Sequence, residues 1–110
     1  KKHSAHAITA DVSLPETARA AEFMLADGVI VTGAATGEAA SPRDVRETVD
    51  GCVLPVLVGS GLTPANLAEY AQAHGFIVGS SVKQGGHWAN PLDPDAVRAM
   101  AAAFAALPRA

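Results

Sequence analysis

The sequence has 110 residues, which suits one domain, and 49% of them are hydrophobic, which is enough to form a core. A net charge of -3 gives no basic surface of the kind that nucleic acids or anionic membranes attract. The single cysteine, Cys52, excludes an internal disulfide, and no apolar run approaches the roughly 20 residues that span a bilayer. We therefore expect a cytoplasmic protein without a nucleic-acid partner or stable membrane insertion.

The start of the chain predicts that it is part of something longer. There is no initiating methionine, and no apolar stretch follows Lys1 and Lys2 as it would in a signal peptide. Residues 2–8 are interpreted as the exit end of a strand, so the chain begins inside an element. We expect a fragment, or a processed or truncated product.

Four helices are predicted, each with a capping signature at its start. Ser13 and Glu16 form a capping box, and the apolar stripe behind them predicts an amphipathic helix that ends near residues 27–28. The third helix is predicted from Thr63 to His74. The four cap residues are Ser13, Ser41, Thr63 and Asp93.

Four short strands alternate with these helices, at residues 2–8, 29–32, 55–58 and 76–78. Residues 29–32 are β-branched throughout, which predicts a strand covered on both faces, as in a parallel sheet. Strict alternation indicates an α/β fold with parallel strands and right-handed crossovers, either an open doubly wound sheet or a closed eight-stranded barrel. Because a closed barrel needs about 250 residues, residues 1–110 are predicted to form a single half-barrel domain of four strand–helix units.

Glycine–serine turns follow two successive strands. The first is Gly59-Ser60-Gly61 and the second is Gly79-Ser80. Glycine lets the backbone approach an anion closely, and a helix start behind the turn adds N–H groups and partial positive charge. The alternative is that each is only a tight strand-to-helix turn. Eight-stranded α/β barrels commonly bind phosphate in the loops after strands seven and eight, so the two glycine–serine turns favour the C-terminal half of such a barrel.

The residues around these turns resemble the BtpA/SgcQ family, whose members are often described as photosystem I biogenesis or assembly proteins. The resemblance implies the C-terminal half of a TIM-type ribulose-phosphate-binding barrel. The chain departs from the family pattern at His74, where an acid is expected, and at Ala96, where a basic residue is expected. The matching segments are Val31-Thr32-Gly33, Thr36-Gly37, Pro55 to Gly61, Asn66, Phe76 to Ser80, Lys83, Asn90-Pro91 and Asp93, and Lys2-His3 resembles the end of the family's fifth strand.

Three functions stay open. The first is binding of a phosphorylated small molecule, a phosphosugar or a nucleotide. The resemblance carries no activity by itself, because the first four strand–helix units, which supply catalytic groups in such barrels, are absent. The second is a non-enzymatic assembly or stability factor for photosystem I or another complex, and the third is an inactive truncated remnant. We expect a homo-oligomer or a requirement for the missing N-terminal half.

The predicted site residues fall into three groups. Lys83 is the candidate to neutralise a phosphate or act as an acid or base, although it could equally be a solvated loop lysine. His87-Trp88 lies in a glycine-rich loop that could close over a ligand, stack on a base or pack against the rim. The four histidines show no compact ligand spacing, so neither a metal nor another cofactor is predicted. The predicted phosphate-binding residues are Gly59, Ser60, Gly61, Gly79 and Ser80, with Thr32, Gly33 and Thr36 reaching in from a neighbouring loop.

Overall fold

The computed structural model describes residues 12–33 and 38–108, and in these ranges helices and strands alternate. Three strands form one parallel sheet in the order β1-β2-β3. The strand predicted at residues 2–8 lies outside the described residues. The elements are α1 (Leu14–Phe23), β1 (Val29–Val31), α2 (Pro42–Gly51), β2 (Val56–Gly59), β3 (Gly75–Ile77) and α3 (Pro94–Ala105), with short 3₁₀ helices at Leu67–Tyr70, Ser80–Val82 and Gln84–Gly86.

Three of the four predicted helix starts are confirmed by their cap hydrogen bonds. Ser13 Oγ accepts from the N–H of Glu16 at 3.2 Å, and Ser41 Oγ accepts from the N–H of Asp44 at 3.3 Å. Asp93 Oδ1 accepts from the first-turn amides of α3. α1 ends at Phe23, earlier than predicted, because Leu25 has a φ of 66° and so leaves the helical region.

The helix predicted from Thr63 to His74 is wrong. Residues 64–66 form a turn, and only Leu67–Tyr70 is helical, as one turn of 3₁₀. The side chain of Asn66 explains the difference, since its Oδ1 accepts from the N–H of Thr63 and its Nδ2 donates to the carbonyl of Gly61, both at 2.8 Å. These local bonds offer the backbone an alternative to the helical ladder.

One face of the sheet carries the core. The strand register places Val31 beside Val58, and Val56 and Val58 are fully buried under the helices. Burial of such side chains stabilises the fold by about 1.5–3 kcal/mol each. The core cluster comprises Val31, Ala40, Val45, Val56, Val58, Leu62, Leu67, Tyr70, Met100 and Leu107.

The opposite face of the sheet is uncovered in the described part of the chain. Ile30 is 53% exposed and Ile77 is 48% exposed, although both are β-branched strand residues. Leu57 and Gly75 lie on the same face, since a Cβ on Gly75 would come within 2.7 Å of the Leu57 side chain. The prediction that the strand at residues 29–32 is covered on both sides is therefore wrong for these ranges: the described helices pack on one face only.

None of the helices within residues 12–33 and 38–108 is long and apolar enough to cross a membrane.

Candidate functional site

An open cavity of about 550 Å³ lies at the carboxyl ends of β2 and β3. Ligands of parallel α/β sheets commonly bind at this edge, because the loops that follow the strands converge there. The volume lies within the range of about 300–1,000 Å³ typical of small-molecule sites. The lining residues are Ser60, Gly61, Leu62, Thr63, Ile77, Gly79, Ser80, Ser81, Gly86, His87 and Trp88.

The turn after β2 has two consecutive residues with left-handed backbone, Ser60 at a φ of 75° and Gly61 at a φ of 68°. A Cβ on Gly61 would lie 2.4 Å from the backbone nitrogen of Ala39. Glycine is therefore required here because the loop before α2 packs directly on the turn. This structural reason for Gly61 does not involve a ligand.

The loop before α2 is held on this turn by a second contact. The hydroxyl of Tyr70 donates to the carbonyl oxygen of Ala40 at 2.6 Å, and Tyr70 is only 2% exposed. Burial of the phenol, followed by the nearby carboxylate of Glu69, raises the pKa of Tyr70 above its ordinary value. The phenol is thus a neutral hydrogen-bond donor at physiological pH, and it holds the loop before α2 in place.

The loop after β3 supplies three of the lining residues, Gly79, Ser80 and Ser81. A Cβ on Gly79 would meet no atom within 4 Å, so packing within the described residues does not require glycine at this position. Ser80–Val82 then forms a single 3₁₀ turn. The Oγ of Ser81 is buried and has no hydrogen-bond partner among the described residues. An unpaired buried hydroxyl costs about 1–3 kcal/mol in the free energy of folding. A ligand group that forms a hydrogen bond with this hydroxyl would offset that cost.

A stacked pair of rings forms the rim of the cavity. The rings of His87 and Trp88 have centroids 5.9 Å apart and planes 24° from parallel. The Nδ1 of His87 accepts from the backbone N–H of Ala89 at 3.2 Å. In its neutral form the imidazole therefore carries its proton on Nε2, which is a donor.

Among the described residues that line the cavity, none is Lys, Arg, Asp or Glu. The hydrogen-bonding groups of these side chains are hydroxyls, one imidazole and the indole N–H of Trp88, so an anion bound here would be held by hydroxyl and ring N–H donors. Lys83 is not among the lining residues; its backbone pairs with Leu92 in an isolated bridge, and its N–H donates to the carbonyl of Ser80. The shorter 3₁₀ helix after Thr63 also removes the macrodipole that the sequence predicted behind the first turn.

The structure brings together four of the predicted phosphate-binding residues, Ser60, Gly61, Gly79 and Ser80. The fifth, Gly59, ends β2 beside them, where a Cβ would make ordinary contacts with Ile30, Thr32 and Ile77.

Two described residues that were predicted to reach in from the loop after β1, Thr32 and Gly33, do not line this cavity. A Cβ on Gly33 would lie 2.2 Å from the carbonyl oxygen of Glu38, so this glycine, like Gly61, is required by close packing of the loop. Thr36 lies outside the described residues. Thr32 lines a separate groove of about 190 Å³ between α1 and β1.

Sequence reasoning missed two lining residues with hydroxyl groups, Thr63 and Ser81. The sequence predicts Thr63 only as a helix cap, and its Oγ1 accepts from the N–H of Asn66 at 3.2 Å. Ser81 follows the predicted Ser80 directly. The signal that could have found both is the cluster of hydroxyl side chains within a few positions of each strand end.

Among residues 12–33 and 38–108, no three His, Cys, Asp or Glu side chains are grouped so that they could hold a metal ion. Cys52 is free and partly buried, and it packs against the core.

Comparison with known proteins shows a consistent family likeness. The sequence model of the BtpA family matches residues 1–106. The chain is 55% identical over 93 residues to an uncharacterised mitochondrial protein of Caenorhabditis elegans, covering 84% of this chain and 34% of that protein. It is 41% identical over 92 residues to an uncharacterised protein of Pyrococcus furiosus, covering 83% of this chain and 34% of that protein.

A third relative carries a descriptive name. The chain is 37% identical over 83 residues to the photosystem I biogenesis protein BtpA of Synechocystis, covering 74% of this chain and 29% of that protein. The chain thus spans about a third of the length of the curated relatives it matches. No solved structure matches it.

Proposed function

The chain belongs to the BtpA family, and we propose that it binds a phosphorylated small molecule in the cavity at the ends of β2 and β3. The observation that carries the proposal is the convergence of two turns from adjacent parallel strands on one cavity lined by hydroxyl groups. Ser60 and Thr63 come from the first turn, and Ser80 and Ser81 from the second. Hydroxyl and backbone N–H groups are common phosphate donors in such loops.

The uncovered sheet face supports a barrel as the setting for this cavity. In a doubly wound sheet, helices cover both faces, whereas in a barrel they cover only the outer one. The described helices pack on the face of Val56 and Val58, and Ile30 and Ile77 stay open on the other. We propose that the chain forms part of a TIM-type barrel. The remaining strand–helix units would correspond to the two thirds of the relatives' length that this chain does not span.

A charge substitution at Ser60 tests the binding proposal. Asn and Asp tolerate positive φ better than other non-glycine residues, so Ser60→Asp and Ser60→Asn should both fit the φ of 75°. They differ only by a negative charge next to the proposed phosphate. We expect Ser60→Asp to weaken binding of ribose phosphate to the full-length protein by about tenfold, and Ser60→Asn to leave it within about threefold, as measured by isothermal titration calorimetry.

Two results would contradict the proposal. One is equal affinity of the Asp and Asn variants for ribose phosphate. The other is a crystal structure of the full-length protein, grown with phosphate, in which the anion occupies another place and this cavity is empty.

The name of the Synechocystis relative favours a second candidate, a non-enzymatic assembly or stability factor. Similar proteins in an animal and an archaeon argue against a photosystem as the common target of these relatives. Purification of the tagged full-length protein from a phototrophic host tests whether it assembles photosystem I. Photosystem I subunits in the purified material would support this role, and their absence would contradict it. Light scattering of the same preparation tests the proposed homo-oligomer.

A further inference from the structure

The ring pair at the rim of the cavity is exposed without a structural reason on the described part of the chain. Trp88 is 69% exposed, and tryptophan is highly buried on average in folded proteins. Its one ring contact is the stack with His87, within the described ranges. An exposed indole beside a cavity at the ends of parallel strands offers a flat surface on which a planar ligand group can stack.

The loop that carries the two rings is braced by its own hydrogen bonds. Asn90 donates from Nδ2 to the carbonyl of Gln84 at 2.7 Å, and the N–H of Asn90 donates to the carbonyl of His87 at 3.0 Å. The N–H of Gln84 donates to the carbonyl of Pro91 at 2.9 Å. These bonds fix the loop without burying the indole, so Trp88 stays available for a contact that is made after folding.

The lining residues include two groups of different chemistry. The strand-end turns present the hydroxyls of Ser60 and Ser80, whereas the rim presents the rings of His87 and Trp88. A pentose phosphate would use only the first group. A ligand that joins a phosphate to a planar heterocycle would use both, and the volume of about 550 Å³ lies in the range of sites that take molecules of this size.

We infer that the ligand is a nucleoside monophosphate or a molecule of the same chemistry, with its phosphate at the strand-end turns and its heterocycle stacked on Trp88. This inference rests on the proposed phosphate site and narrows its ligand class. Stacking of a base on an aromatic side chain accounts for roughly tenfold or more in affinity. The preference for a heterocycle should therefore depend on the indole, while binding of the phosphate should not.

Calorimetry on the full-length protein with two probes, adenosine monophosphate and ribose phosphate, tests the inference. We expect adenosine monophosphate to bind about tenfold more tightly than ribose phosphate. Trp88→Ala should remove this preference and leave the affinity for ribose phosphate within about threefold, whereas Trp88→Phe should keep most of the preference. The control is Phe23→Ala, which truncates another exposed aromatic side chain. Phe23 lies at the end of α1, is 84% exposed and is not among the cavity residues. This substitution should change the affinity for neither probe.

The outcomes separate the two proposals. If both probes bind with equal affinity, or if Trp88→Ala keeps the preference, the ligand class is wrong and the phosphate site survives. If neither probe binds, both proposals are overturned.

Discussion

Gly61→Ala should destabilise the protein strongly, because two independent costs add at this position. A φ of 68° costs a residue with a Cβ about 1–2 kcal/mol. The new Cβ would also lie 2.4 Å from the nitrogen and 2.5 Å from the Cα of Ala39, and backbone atoms cannot rotate away. The loop before α2 would have to move off the turn, and it is also held by the buried hydrogen bond from Tyr70 to Ala40. We expect a total loss of about 3 kcal/mol or more in the free energy of unfolding.

Gly59→Ala is the matched control, two positions earlier at the end of β2. Its Cβ would meet Ile30, Thr32 and Ile77 at 3.5–3.8 Å, which is ordinary van der Waals contact. Its φ is not positive, so the substitution should be neutral or stabilise by up to about 1 kcal/mol. Urea unfolding of the full-length protein, followed by circular dichroism, measures both. Losses that agree within about 0.5 kcal/mol would refute the packing argument, since this margin is near the scatter of such measurements.

Three further positions, Tyr70, Leu67 and Asp93, test the core and the α3 cap by the same urea titration. Tyr70→Phe should cost about 1–3 kcal/mol at neutral pH, because the carbonyl of Ala40 loses its buried donor. The pKa of Tyr70 in the folded protein lies above its unfolded value of about 10. The phenol therefore contributes fully to the free energy of unfolding below about pH 10, and this contribution is lost as the pH rises through the folded pKa, so the stabilities of the wild type and the Tyr70→Phe variant should converge in alkaline solution. A stability difference that widens with pH would contradict the role of the phenol as a neutral donor. Leu67→Ala should cost about 2–5 kcal/mol, whereas Leu92→Ala, at an exposed site, should cost little, and equal losses would argue against the described core. Asp93→Ala should cost about 1 kcal/mol through the lost α3 cap, and Asp93→Ser should recover most of it.

The sequence predicted best those elements whose signals are local. The caps at Ser13, Ser41 and Asp93 follow from a short polar side chain with a proline close behind it, and each appears with the predicted hydrogen bond. The signal of the three described strands is also local, because each contains a short apolar run that glycine follows within two residues. Thr63 has the same signature, but the helix behind it does not form, because Asn66 bonds both Thr63 and Gly61. A capping pattern alone does not reveal that side-chain hydrogen bonds of Asn66 compete with the helix.

The candidate site was predictable in position but not in composition. Parallel strands place Gly59-Ser60-Gly61 and Gly79-Ser80 at one edge, which sequence order alone implies. The role of each glycine depends on what lies next to it: Gly61 faces the backbone of Ala39 and Gly79 faces open space. Such neighbours are far away in sequence, so the residues of the turn itself do not indicate whether they are present. For the same reason Lys83 looked like a phosphate ligand although it does not line the cavity.

The cavity and the uncovered sheet face share one residue, and this connects the two proposals. Ile77 ends β3 on the open face, is 48% exposed and lines the cavity. Ile30 and Leu57 extend the same apolar face away from the cavity. In the proposed barrel, the part of the protein that packs on this face would therefore also come close to the cavity at Ile77. The described turns can position a phosphate, and in the proposed barrel the groups that act on the rest of a ligand would come from the part that covers Ile77.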